Sequence, residues 1–229
     1  MLLPSRAALS FLVALLVMMP LQASAASGAE QGGALLRAAA SGDAAAVERL
    51  AKAGAPLEHR NARGETALLL AVAGNHVAAA KALLAAGASP NTQAQNRDTP
   101  WLLAGASGRT DIIAAMIPAK PDLSIRNRYG GNALIPACER AHVEAVKLLL
   151  TTAIDVNHVN DLGWTCLLEA VLLGNGGAAH QEVVRLVLAA GADPNIADKD
   201  GVTPLTHARR RGQAAVARLI EGAGGRAKP

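Results

Sequence analysis

A glycine-centred turn returns along this chain at a fixed interval: Gly64 in "GETA", Gly130 in "GGNA", Gly163 in "GWTC" and Gly201 in "GVTP". Gly64 to Gly130 is 66 residues, two steps of 33, with Arg97 of "RDTP" at the midpoint in place of glycine, and Gly130 to Gly163 is a further 33. Units of that size cannot bury an apolar face alone. They must stack on their neighbours, so the repeat demands an elongated array rather than one central core.

Each unit reads as turn, helix, short loop, helix. Thr66, Thr99, Thr165 and Thr203 stand where a side-chain hydroxyl caps a first helix, and Pro100 and Pro204 follow at the first helical position, where a missing N–H costs nothing. Leu68, Trp101, Leu134, Leu167 and Leu205 take the next apolar slot and are expected in the core. Second helices show the three-and-four spacing of an amphipathic helix in Val143, Val146, Leu149 and Leu150 and in Val183, Leu186, Val187 and Ala190. Gly87 and Gly191 are expected to end theirs as left-handed caps.

The period, the helix starts "TALLLA", "TPWLLA", "NALIPA", "TCLLEA" and "TPLTHA", and the unit ends "AAGASPN", "AAGADPN" and "TTAIDVN" resemble the ankyrin repeat. The resemblance implies an all-α solenoid of about six helix-turn-helix units with short β-turn fingers, near residues 28–60, 61–93, 94–126, 127–159, 160–197 and 198–225. The first unit lacks a finger and reads as a cap. The closing "GAGGRAKP" reads as a frayed tail. Pro118 and Pro121 should shorten the second helix of the third unit and make a bend or soft spot there.

Gly163 to Gly201 is 38 residues, five more than the period. With His180 aligned to His76, the extra residues are Asn175 to Ala179, expected as a longer loop between the two helices of the fifth unit. The cluster Gly174-Asn175-Gly176-Gly177 is not read as a phosphate loop: it follows a helix rather than a strand, and no Lys-Ser or Lys-Thr comes after it.

The first residues carry a different signal. Arg6, the apolar run Ala7 to Met19, Pro20 and Ala23-Ser24-Ala25 follow the order of a cleavable secretory signal peptide, so residues 1–25 are expected to be removed and 26–229 to form the repeat domain. No Cys follows the run to carry a lipid anchor, and an Ala-rich, Lys-poor chain suggests a bacterium, hence the periplasm. The hydrophobic content is 51%, with Ala prominent and one Phe, two Trp and one Tyr, which suits thin layers of closely approaching helices. The formal charge of +4 falls to about +3 without Arg6. Such scattered charge gives a nucleic-acid partner no support.

Candidate chemistry is sparse. His76, His142 and His180 share one repeat position, the start of the second helix, where ankyrin repeats keep a His for loop hydrogen bonding; His59, His158 and His207 are isolated from one another. Neither HExxH nor G-x-S-x-G occurs, and no cofactor, metal or catalytic residue is expected. Cys138 and Cys166 fall in ordinary first-helix positions about one and a half turns out of phase, beyond the roughly 7 Å reach of a disulfide, and are expected as free thiols.

The family resemblance implies that another protein is held by the finger tips and the exposed side of the first helices, the concave face, by a monomeric scaffold without enzyme activity. By register that surface comprises Arg128, Tyr129 and Gly131; Asp161, Leu162 and Trp164; Lys199, Asp200 and Val202; and Glu139, Arg140, Leu172, Leu173, Arg210 and Arg211. Tyr129 and Trp164 are the informative members, since aromatics dominate interfaces. Glu139, Arg140, Glu169, Arg210 and Arg211 are expected as a mixed-charge rim. Exported relatives of this kind resemble accessory factors for periplasmic enzymes such as stress-defence catalases. An immunity protein that neutralises a toxin is the alternative within the binding class, and a thiol-based redox factor using Cys166 is the alternative outside it.

Overall fold

The computed structural model describes residues 27–228; the expected signal peptide lies outside the described residues. Helix α1 spans 27–41 of the described chain, and α2 is Ala44–Lys52. Five further hairpins follow: α3 (Ala67–Ala73) with α4 (Val77–Ala85), α5 (Pro100–Ala106) with α6 (Thr110–Met116), α7 (Leu134–Glu139) with α8 (Val143–Leu149), α9 (Cys166–Leu172) with α10 (Ala178–Ala189), and α11 (Pro204–Arg210) with α12 (Ala214–Gly222). First helices pack on first helices, α3 on α5 on α7 on α9 on α11, and second helices likewise from α2 to α12. The result is a two-layered stack with no strand among the described residues.

The sequence rules for these helices hold at atomic detail. The hydroxyls of Thr66, Thr99 and Thr165 accept hydrogen bonds from the backbone N–H groups of Leu69, Leu102 and Leu168 at 3.3, 3.1 and 3.2 Å. The fourth unit lacks this Thr, and the Asn132 side-chain oxygen takes its place, accepting from Leu134 and Ile135. Gly87 and Gly191 follow the caps of α4 and α10 with φ of 96° and 92°, the left-handed turn that lets Ala88 and Ala192 bond back to Leu83 and Val187. Between the layers one apolar cluster runs from Leu35 to Ile220.

Three expectations are corrected here. First, Cys138 and Cys166 form a disulfide, with Cα atoms 5.5 Å apart. The free-thiol expectation treated neighbouring first helices as lying in phase. They are staggered, so that the late positions of one meet the early positions of the next: one unit earlier, a Cβ on Gly105 of α5 would lie 2.5 Å from the Ala133 carbonyl oxygen at the start of α7, the same offset that joins Cys138 to Cys166.

Second, the insertion is only partly loop. Helix α10 begins at Ala178, so Ala178 and Ala179 extend it by its first residues, and residues 173–177 make the connection. Third, the final segment is tied down. The Thr203 and Thr206 hydroxyls donate to the carbonyls of Arg226 and Lys228 at 2.7 and 2.6 Å, and Asn195 accepts from the Arg226 N–H at 2.8 Å. Pro118 ends α6 as expected, through a 3-10 turn at Ile117–Ala119, and Ile112, Ile113 and Met116 of that unit are fully buried.

Candidate functional site

Each finger is a tight turn held by one side chain at its base. The carboxamide oxygens of Asn61, Asn127 and Asn160 each accept from the two backbone N–H groups two and four residues on, as does the Asp198 carboxylate, at 2.8 to 3.0 Å. The base of the third finger is Ala94, and Asn96 supplies a substitute bond to the Asp98 N–H. Backbone bonds tie neighbouring fingers into a row, from the Gln95 N–H to Arg63 O at 3.1 Å and from the Asp161 N–H to Tyr129 O at 2.9 Å. Lys199 Nζ donates to the Asp161 carbonyl, carrying the row on to the last finger.

A second row of bonds joins units at the turn between helices. His76 Nε2 reaches the Ala40 carbonyl and His180 Nε2 the Glu139 carbonyl, each at 3.0 Å. Arg109 and Gln213 fill the equivalent position and reach the Ala73 and Val171 carbonyls. His142 faces Ala106, and burial there holds its imidazole below the usual range. These side chains satisfy carbonyls that end the preceding first helix, which is a structural task.

The expected binding residues fall along the finger row and the ends of the first helices. Tyr129, Leu162 and Leu173 are 53%, 48% and 51% exposed, and together with Val159 they are the large hydrophobic residues that stand exposed among the described residues. All lie in the fourth and fifth units. The Arg128 guanidinium sits 4.8 Å from the centre of the Tyr129 ring and 3.8 Å from the Asp98 carboxylate. Trp164 and Leu172 are half-buried; Arg140, Asp161, Lys199, Asp200, Arg210 and Arg211 are exposed, and Glu139 is intermediate. Of the two small neighbours, Gly131 and Val202 are buried. Arg140 is held by the Ala106 carbonyl at 2.5 Å and Arg211 reaches Gly174 O at 3.5 Å, so neither is free of the scaffold.

Glu169 departs from the mixed-charge rim expected of it. It is 5% exposed, accepts from Asn160 Nδ2 at 2.9 Å, and has its carboxyl pushed up to about 7 by burial and by the neighbouring Glu139. Its place matches that of His207, whose Nε2 pairs with Asp198 at 2.6 Å. The nine-residue offset of Asn160 to Glu169 and Asp198 to His207 was the signal in the sequence that would have found this pairing. The thiol reading fails on geometry: Cys166 is 1% exposed and joined to Cys138, so it offers no accessible thiolate. Among the described residues there is no cluster of His, Cys, Asp or Glu able to hold a metal ion.

A profile for ankyrin repeats, three copies long, matches residues 9–96, 35–127 and 101–198. The chain belongs to the ankyrin-repeat family. An ankyrin-repeat protein of Escherichia coli, YahD, is 48% identical over 114 residues, 49% of this chain and 57% of that one. The chain thus spans little more than half the length of that relative. Cyclin-dependent kinase 4 inhibitor B of Bos taurus is 36% identical over 99 residues, covering 42% of this chain and 71% of its own. Among solved structures, an ankyrin repeat domain from Acinetobacter baumannii AYE superposes with a TM-score of 0.81 at 46% identity, covering 84% of this chain and 98% of that one. Ankyrin domains are protein-interaction modules, and no helix among the described residues is long and apolar enough to cross a membrane.

Proposed function

We propose that this ankyrin protein is a non-enzymatic scaffold of the periplasm that holds one protein partner on the concave face of its fourth and fifth units. The observation that carries the reading is the concentration of exposed large apolar side chains there: Tyr129, Val159, Leu162 and Leu173, the exposed large hydrophobic residues among the described ones, all belong to these two units. Exposed large apolar side chains gathered on two adjacent units support an interaction site there. Arg128 over the Tyr129 ring adds the Arg and aromatic pairing found at interface hot spots.

Export is supported by the order of residues 6–25 and by the Cys138–Cys166 disulfide, a bond that persists in oxidising compartments. The resemblance to exported ankyrin proteins makes an enzyme of stress defence, such as a catalase, the favoured partner. The bovine relative is named as an inhibitor of a kinase, which favours a second reading on the same surface, an immunity protein that silences an incoming toxin.

The test places a photo-crosslinking amino acid at Leu162 or Leu173 of the full chain in its native cell, with Ala189 on the outer layer as control. One protein crosslinked from both concave positions and not from Ala189 is expected. Equal labelling from all three sites removes the concave reading. Recovery of the crosslink in the spheroplast rather than the periplasmic fraction removes the location. The activity of the crosslinked enzyme, raised or lowered by added scaffold, separates accessory factor from immunity protein.

A further inference from the structure

The finger row is electrically polarised. In the fingers of the second, third and fourth units, residues 60–65, 93–98 and 126–131, Arg60, Arg63, Arg97, Arg126 and Arg128 stand against Glu65 and Asp98 alone. Both acids are already engaged, Glu65 by Arg63 at 2.7 Å and Asp98 by Asn96 and Arg128. The last two fingers reverse the balance, with Lys199 against Asp161, Asp198 and Asp200.

Arg97 is the unusual member. It holds the finger-turn position filled by Gly64, Gly130, Gly163 and Gly201 in the other units, at a φ of 66° that favours glycine, and its side chain is exposed at the tip. A bulky residue kept in the left-handed region is a local cost that clusters at functional sites. The Ala94 finger lacks the basal Asx brace and is held by Asn96 and by Gln93 on the Arg97 carbonyl, bonds that do not use the Arg97 side chain.

Resting on the scaffold reading above, we propose that Arg97 is a partner-binding residue and that the partner lays an acidic segment along the fingers of the second to fourth units. Its apolar anchor then falls on Tyr129 and Leu162, beside the end of the basic stretch. Successive units stand roughly 10 Å apart, so a segment extended at about 3.3 Å per residue crosses three fingers in some six residues. The exposed aliphatic Leu162 beside the basic stretch suits an apolar side chain of a peptide, which a phosphate backbone does not offer.

The test uses the full chain and a fluorescently labelled peptide of about twelve residues, acidic along its length with one central leucine, read by polarisation at physiological salt. Arg97→Gly is expected to weaken the peptide about tenfold while raising the melting temperature, because glycine relaxes the turn. Arg218→Ala, the same charge change on the outer layer, is expected to leave binding within about twofold. The proposal is overturned if the wild-type chain does not bind the peptide, if both variants weaken it equally, if Arg97→Gly binds as the wild type does, or if a single-stranded oligonucleotide of equal charge binds as tightly. A native partner that crosslinks at Leu162 yet is indifferent to Arg97→Gly would remove the acidic segment and leave the scaffold reading intact.

Discussion

Cys138, late in one first helix, is bonded to Cys166, the first residue of the next, 28 positions on in sequence and 5.5 Å away between Cα atoms. The bridge is fully inside the stack and ties the fourth unit to the fifth, the two units that carry the exposed apolar group. It therefore fixes the spacing of the Tyr129 and Leu162 fingers from beneath.

Replacing both cysteines with Ala should lower stability by about 3 to 4 kcal/mol, the chain-entropy value for a loop of this length. Urea unfolding with and without a thiol reductant measures it. A midpoint unmoved by both the substitution and the reductant would show that the stack does not depend on the bridge.

Gly105→Ala should destabilise by about 1 to 3 kcal/mol, because the added methyl meets the Ala133 carbonyl oxygen at 2.5 Å, an atom that cannot yield without shifting α7. Gly222→Ala is the internal control. It lies in α12 with nothing within 4 Å of the added carbon, and should gain about 0.5 to 1 kcal/mol from helix propensity. Thermal melts of the two variants are expected to move in opposite directions.

The carboxyl of Glu169, pushed up to about 7 in the folded chain, binds its proton more tightly there than when unfolded. Stability from this group is thus fully present below the unfolded value near 4.5 and is lost as pH rises through about 7. The loss amounts to roughly 3 kcal/mol at most. Glu169→Gln keeps an oxygen for Asn160 and carries no charge, so it should flatten the stability profile between pH 5 and 8, to within about 0.5 kcal/mol from this site. A profile with the same slope as the wild type, measured by denaturant midpoints across that range, would mean that Glu169 is not the titrating group.

Tyr129→Ala and Leu173→Ala remove side chains that are mostly in solvent, so each should change folding stability by less than about 0.5 kcal/mol. Affinity for the crosslinked partner should fall at least tenfold, or about 1.4 kcal/mol, in each. Titration of purified partner into each variant checks both. Unchanged affinity in the two variants would assign the apolar group no role.

What the sequence made legible follows from rules that act locally or at the repeat period. Thr66, Thr99 and Thr165 cap helices because a hydroxyl three residues before an N–H always can. His76 and His180 meet carbonyls one unit back because equal positions in equal units face alike. The disulfide escaped because the stagger between first helices is set by how closely backbones approach at small residues such as Gly105, which no spacing of residues encodes. Glu169 escaped because its position holds Leu70, Leu103 and Pro136 in other units, and only the pairing with Asn160 distinguishes it. Finger register put Tyr129 and Leu162 in solvent, but the same register was read for Trp164, which is half-buried, and for Gly131 and Val202, which are buried, because those positions turn back toward the helices. The strain at Arg97 needed a backbone angle.

The five residues added in the fifth unit leave Lys199 within reach of the Asp161 carbonyl, although these two are 38 positions apart and not 33. Extra length enters between the helices, and part of it is wound into the start of α10, on the side away from the fingers. Sequence distance and place in the array are thereby uncoupled at that connection. A change of length in that connection would leave the row of fingers in place and, of the exposed apolar residues, would shift only Leu173, which opens the connection.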